Sequence, residues 1–134
     1  MKIISTEQMT KPIGHYSQVI EHNGIIYLSG QLPVDPETKT IPETIEEQSS
    51  LVLSKIAQLL TEAGSSKQQV LQMRVYISDI ALWDQVNDVY SEFFGDHKPV
   101  RCIVPTRELH FGSLVEMEAT AVAGDEYPTP TPPQ

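Results

Sequence analysis

Four residues in this sequence could help to handle a small charged molecule. Arg101 follows Pro99-Val100 at the start of a short apolar run. A guanidinium offers a planar fork that matches a carboxylate with two hydrogen bonds, although an ion pair with one of the many acids would also account for it. Glu116 lies between Val115 and Met117. A carboxylate desolvated by such neighbours could have a raised pKa and act as a general acid or base, and the alternative is a solvated face shared with Glu118. Cys102 adjoins Arg101, yet neighbouring strand residues point to opposite faces, so a buried structural cysteine is expected rather than a nucleophile activated by the arginine. Gly30, in Ser29-Gly30-Gln31, could let the backbone approach a ligand.

Other chemistries lack their spacing. His15, His22, His97 and His110 form no HxH, HxxxH or HExxH pattern, so no metal site is expected. A lone glycine step is too short for a phosphate loop, and no GxSxG elbow is present.

The elements that must position these residues can be read from periodicity. Asn23-Gly24 between Tyr16–Ile20 and Ile25–Ser29 predicts a hairpin with a type I′ turn. A helix is expected over residues 44–63, with Thr44 and Glu47 at capping-box spacing and Gly64 as its stop. Its apolar face is Ile45, Val52, Ile56, Leu59, Leu60 and Ala63. An alternating strand follows, with Leu71, Met73, Val75 and Ile77 on one face and Gln72, Arg74, Tyr76 and Ser78 on the other. Asp79 stands where it could cap a second helix, whose face is Leu82, Val86, Val89, Tyr90, Phe93 and Phe94. Two strands finish the pattern. Arg101 and Ile103 oppose Val100, Cys102 and Val104; Glu116, Glu118 and Thr120 oppose Val115, Met117, Ala119 and Ala121.

The order β-β-α-β-α-β-β predicts an α/β (α+β) fold, a mixed sheet with both helices on one face. The other face is half polar, and a subunit interface is one way to cover it. The chain, 134 residues long, is expected to form a single domain over residues 1–125, followed by a proline-rich, mobile tail over 126–134.

A net charge of −9 with scattered basic residues argues against nucleic acid as the main partner. No run reaches the roughly 18 apolar residues of a membrane helix. The first residues have no apolar signal region, and one cysteine allows no internal disulfide, so a cytoplasmic location is expected.

Several strings then fall in one register. They are Pro12-Ile13-Gly14-His15-Tyr16-Ser17-Gln18, Leu28-Ser29-Gly30-Gln31-Leu32-Pro33, Asp35-Pro36-Glu37-Thr38, Val86-Asn87-Asp88-Val89-Tyr90-Ser91-Glu92-Phe93-Phe94, Pro99-Val100-Arg101 and Val115-Glu116-Met117-Glu118-Ala119. Together they resemble the reactive intermediate deaminase family, also known as the Rid, YjgF or L-PSP endoribonuclease family, over roughly residues 3–122.

The resemblance implies a chorismate-mutase-like fold and a homotrimer whose sheets face inward as a barrel, with a pocket at each subunit interface. It implies hydrolysis of enamines and imines, such as 2-aminoacrylate and 2-iminopropionate, to 2-oxo acids and ammonia without a cofactor. Arg101 matches the arginine that holds the substrate carboxylate, and Glu116 the acid that positions water. Tyr16 matches a pocket tyrosine, Gly30 a glycine lining the site, and Ile103 a position whose backbone N–H meets the carboxylate. Ser29 and Asn87, within matching strings, are the further substrate-binding candidates.

The sequence departs from the family pattern at His15, Lys39, Cys102-Ile103 and His110, where proline, glycine, Ser-Cys and proline are usual. Three other readings stay open. They are an endoribonuclease or translation inhibitor, a non-catalytic ligand-binding or chaperone-like module, and a specialised catabolic deaminase of the aminomuconate type.

Overall fold

The computed structural model describes residues 1–7 and 9–124, so the expected proline-rich tail lies outside the described residues. Six strands form one sheet in the order β1-β2-β3-β6-β4-β5. They are β1 (Lys2–Ile4), β2 (Val19–His22), β3 (Ile25–Gln31), β4 (Val70–Ile77), β5 (Val100–Pro105) and β6 (Val115–Val122). Only β4 and β5 pair in parallel; the other neighbours are antiparallel. Two helices, α1 (Ile45–Glu62) and α2 (Trp83–Phe94), complete the mixed α+β fold.

Local chemistry sets most boundaries. Asn23 (φ 51°) and Gly24 (φ 78°) take the positive angles that a type I′ turn requires. Thr44 caps α1 by accepting the Glu47 N–H at 3.1 Å. The capping box is incomplete, because the Glu47 carboxylate accepts from the Thr44 hydroxyl instead of reaching the cap's own N–H. At the other end Gly64 (φ 78°) turns the chain while Ser65 N donates to Leu60 O and Gly64 N to Thr61 O, a Schellman stop.

The core lies between the helices and one sheet face. Val52, Leu53, Ile56 and Leu60 of α1 are fully buried with Val86 of α2 and with Met73, Val75, Val115 and Met117 of the sheet. Each such side chain contributes roughly 1.5–3 kcal/mol by leaving water. One buried polar side chain also ties α1 to the start of β6. Gln48 donates to Pro42 O and accepts from Leu114 N, which fixes the entry to β6.

Four expectations need correction. The order is β-β-β-α-β-α-β-β, because Lys2–Ile4 adds an edge strand against β2 that three residues are too short to announce. The first hairpin strand starts at Val19, not Tyr16; the chain turns at Gly14–Tyr16, where Tyr16 N meets Gly14 O. Asp79 caps a 3-10 turn, Ile80–Leu82, that precedes α2. Leu71 is exposed, since a bulge between Val70 and Gln72 puts Val70 in the core instead.

Candidate functional site

The sheet register divides the candidate residues between two stations. Arg101 is registered with Met73, whose side chain is buried on the helix side. Parallel partners share a face, so Arg101 points toward the helices. There its Nη1 donates to Asn87 Oδ1 of α2 at 2.8 Å. Its guanidinium carbon lies 4.8 Å from the centre of the Tyr90 ring and 5.6 Å from that of Trp83. The partner of Arg101 is therefore a neutral amide between two aromatic rings, not the acid of a surface ion pair. Ile103 shares this face and packs against the core. Burial pushes the Tyr90 hydroxyl up to about 12, against the opposing pull of Arg101, so it stays protonated at neutral pH.

Glu116 occupies the other face. It is registered with Tyr76, while its neighbours Val115 and Met117 are buried toward the helices. Burial raises its pKa, the like charge of Glu118 raises it further, and His110 lowers it. Tyr76 donates to Glu118 Oε1 at 2.6 Å, and that bond pushes the phenol up to about 12. Gly30 explains how Glu116 fits. A Cβ built there would overlap Glu116 Oε2 and stand 3.2 Å from its Cδ. The missing side chain of Gly30 is therefore the space that the carboxylate fills.

Gly30 also lines a cleft of about 720 Å³ with Tyr16, Gln18, Leu32 and Phe111. The loop that delivers Tyr16 is held by Ser29. The Ser29 N–H donates to Gln18 O, and its hydroxyl donates to Ser17 O. Ser29 thus spends its hydroxyl on the loop. The buried Gln31 adds a bond from Nε2 to Gln18 Oε1.

Gly30 and Glu116 thereby meet at one station, with Tyr16 beside Gly30 in a cleft walled partly by α1, and Arg101, Asn87 and Ile103 form the other. Within one chain the two stations lie on opposite faces of the sheet. Cys102 corrects another expectation: it is exposed, not buried. The parity argument holds, but the face it shares with Val100 and Val104 is the one no helix covers.

Sequence reasoning passed over Trp83 and treated Tyr90 only as core. Their spacing with Asn87, at i, i+4 and i+7, is the signal that could have joined them. It also passed over Phe111, which holds φ 60° and stacks on His110 with ring centres 3.8 Å apart. Among the described residues, no group of three or more His, Cys, Asp or Glu is placed to hold a metal ion. No described helix is long and apolar enough to cross a membrane.

Comparison with known proteins covers nearly the same span. The model of the family described as Endoribonuclease L-PSP matches residues 6–123. A RutC family protein of Pyrococcus abyssi is 43% identical over 121 residues, covering 90% of this chain and 95% of that protein. An Escherichia coli protein with the provisional name reactive intermediate deaminase TdcF is 34% identical over 124 residues, covering 90% of this chain and 96% of its own. The crystal structure of E. coli TdcF with bound serine superposes with a TM-score of 0.86 at 33% identity, covering 92% of this chain and 100% of that one.

Proposed function

The chain belongs to the Rid (YjgF, Endoribonuclease L-PSP) family, and from that premise we propose that it hydrolyses reactive 2-imino and 2-enamino acids to 2-oxo acids and ammonia. The observation that carries this reading is the environment of Arg101. A guanidinium tied to a neutral amide at one nitrogen keeps its remaining N–H donors for an incoming carboxylate. A small ligand bearing a carboxylate is also in keeping with the serine in the TdcF structure.

In the reaction, water adds its oxygen to the C2 carbon of the imine and one proton to nitrogen, and the C–N bond of the resulting carbinolamine then breaks as its hydroxyl proton passes to nitrogen, leaving a 2-oxo acid and ammonia. No cofactor is required. Arg101 holds the substrate carboxylate, so that C2 is presented in one orientation. The Ile103 backbone and Asn87 assist at that end. Glu116, raised by burial, takes the proton from the attacking water and returns it to nitrogen. Gly30, against the Glu116 carboxylate, and Tyr16, which shares a cleft with Gly30, are the groups assigned to the side of that water.

The separation of the stations supports an assembly of several copies. Arg101 cannot reach across the sheet to Glu116 of its own chain, so a working site takes Arg101 from one copy and Glu116 with Tyr16 from a neighbour. A homotrimer with sheets facing inward as a barrel meets this need and covers Val100 (65% exposed), Cys102 and Tyr27. The ribonuclease reading has less support. A chain of net charge −9 whose polar sheet face carries Glu116 and Glu118 repels a phosphate backbone.

The test is a panel of imines generated in place by an amino acid oxidase, with semicarbazide trapping whatever the protein fails to hydrolyse. The parent is expected to reduce trapped product and Arg101→Ala to lose most of that effect. Equal rates for the two proteins would contradict the proposal.

A further inference from the structure

Trp83, Asn87 and Tyr90 form one stripe of α2 facing β5, and all three meet the same side chain. Tyr90 is 6% exposed, and its hydroxyl has no hydrogen-bond partner among the described residues. A buried hydroxyl without a partner costs stability, so what Tyr90 gives this site is its ring. The two rings and the amide constrain Arg101 in different ways. Asn87 fixes one nitrogen, and the rings restrict where the guanidinium can lie.

We infer that Trp83 and Tyr90 are positioning residues, which hold the Arg101 guanidinium in place so that its free N–H donors meet a substrate carboxylate without reorganising. The inference rests on the reading of Arg101 as the carboxylate anchor. Its physical basis is entropy. An arginine on an edge strand has several rotatable bonds to freeze when it binds, and rings that hold it beforehand remove that cost from the binding step. A guanidinium suits the arrangement because it is weakly hydrated and stacks on aromatic faces while its edge stays free to donate.

The experiment compares Trp83→Leu, Tyr90→Leu and Tyr90→Phe, each alone and combined with Arg101→Ala, using an oxidase-generated 2-imino acid. Either leucine variant is expected to raise KM about fivefold or more, with kcat changed much less. Tyr90→Phe keeps the ring and recovers most of what Tyr90→Leu loses. In the Arg101→Ala background the leucine changes add nothing further, whereas damage to the fold would persist there.

Trp83 is the chain's single tryptophan and supplies a second readout that needs no variant. Its emission is expected to change saturably as pyruvate is added to the parent protein. Leucine effects that persist undiminished without Arg101 would overturn the inference, as would flat emission while calorimetry records pyruvate binding. If Arg101→Ala is impaired while both leucine variants match the parent, the positioning role fails and the anchor stands. If Arg101→Ala itself matches the parent, both fail.

Discussion

The two faces of the sheet are built on opposite principles. The helix-facing side is buried and apolar, and the Arg101 guanidinium sits at the edge of that packing, beside a stripe of α2. The other side has no described helix over it and carries Tyr27, Tyr76, Glu116 and Glu118, with Cys102 and Val100 exposed beside them. The Arg101 station depends on one helix and one strand. The Glu116 station depends on long-range pairing: β6 must lie between β3 and β4 for Gly30 to make room for the carboxylate. The contrast shows how a small fold can hold a cation and a carboxylate apart. Within one chain each is placed by its own face, and neither pairs with the other.

The largest effects should come from removing either charge. Arg101→Ala or Glu116→Gln is expected to lower kcat/KM by about 30-fold or more, the scale of losing one partner of a desolvated charge pair. Arg101→Ala should act mostly through KM and Glu116→Gln mostly through kcat, which steady-state kinetics on a trapped-imine assay would separate. Equal changes in both constants for both variants would erase the distinction between the stations.

Gly30→Ala should come next. Its methyl group competes with Glu116 Oε2 for the same space, and the carboxylate, being the end of a flexible side chain, gives way. Activity is expected to fall about tenfold or more through misplacement, with little change in melting temperature. A large loss of stability instead would mean that Gly30 serves the strand rather than the site.

The pH dependence sharpens the same point. Glu116 must be ionised to accept a proton, and its pKa is raised first by burial and then by Glu118. Activity should therefore fall, as pH is lowered, at a higher pH than an ordinary glutamate would give. Glu118→Gln should move that acid limb to lower pH, and His110→Ala should move it up. Stability has the opposite sign: the folded state favours protonated Glu116, so stability declines as pH rises through its raised pKa. Glu116→Gln should abolish that part of the decline, measurable by thermal melts across pH.

The smallest effect lies in a turn that borders the cleft lined by Tyr16 and Gly30. Lys39 holds φ 61°, a left-handed angle that costs a side chain energy, and it closes the turn in which Asp35 Oδ1 accepts from Glu37 and Thr38 N–H groups. Lys39→Gly should raise stability by about 0.5–1 kcal/mol and leave kinetics unchanged.

Much of this was legible in the residues. The bounds of α1 followed from Thr44 and Gly64, and strand parity placed Arg101 opposite Cys102 and Glu116 opposite Met117. The positive φ at Lys39 accounts for the family's usual glycine there, and nothing in the structure explains the lysine. What sequence did not show was non-local. The bulge that turns Leu71 outward depends on β6, the short Lys2–Ile4 strand depends on β2, and the exposure of Cys102 depends on which sheet face the helices leave bare. The opposite orientation of Arg101 and Glu116 was missed for the same reason. Parity was clear within each strand, but only the register of β4 with both β5 and β6 relates one strand's faces to the other's.

The central claim is that one site is shared by two copies, and a mixing experiment tests it most directly. Arg101→Ala and Glu116→Gln proteins, each impaired alone, would be unfolded together, refolded as a mixture and assayed for imine hydrolysis. An intact Arg101 from one copy then meets an intact Glu116 from another, and random equal mixing should restore about a quarter of the sites. Recovery near that fraction is the predicted result. A mixture no more active than its separately refolded components, with mixed oligomers demonstrably formed, would place both residues of each site on one chain and contradict the account.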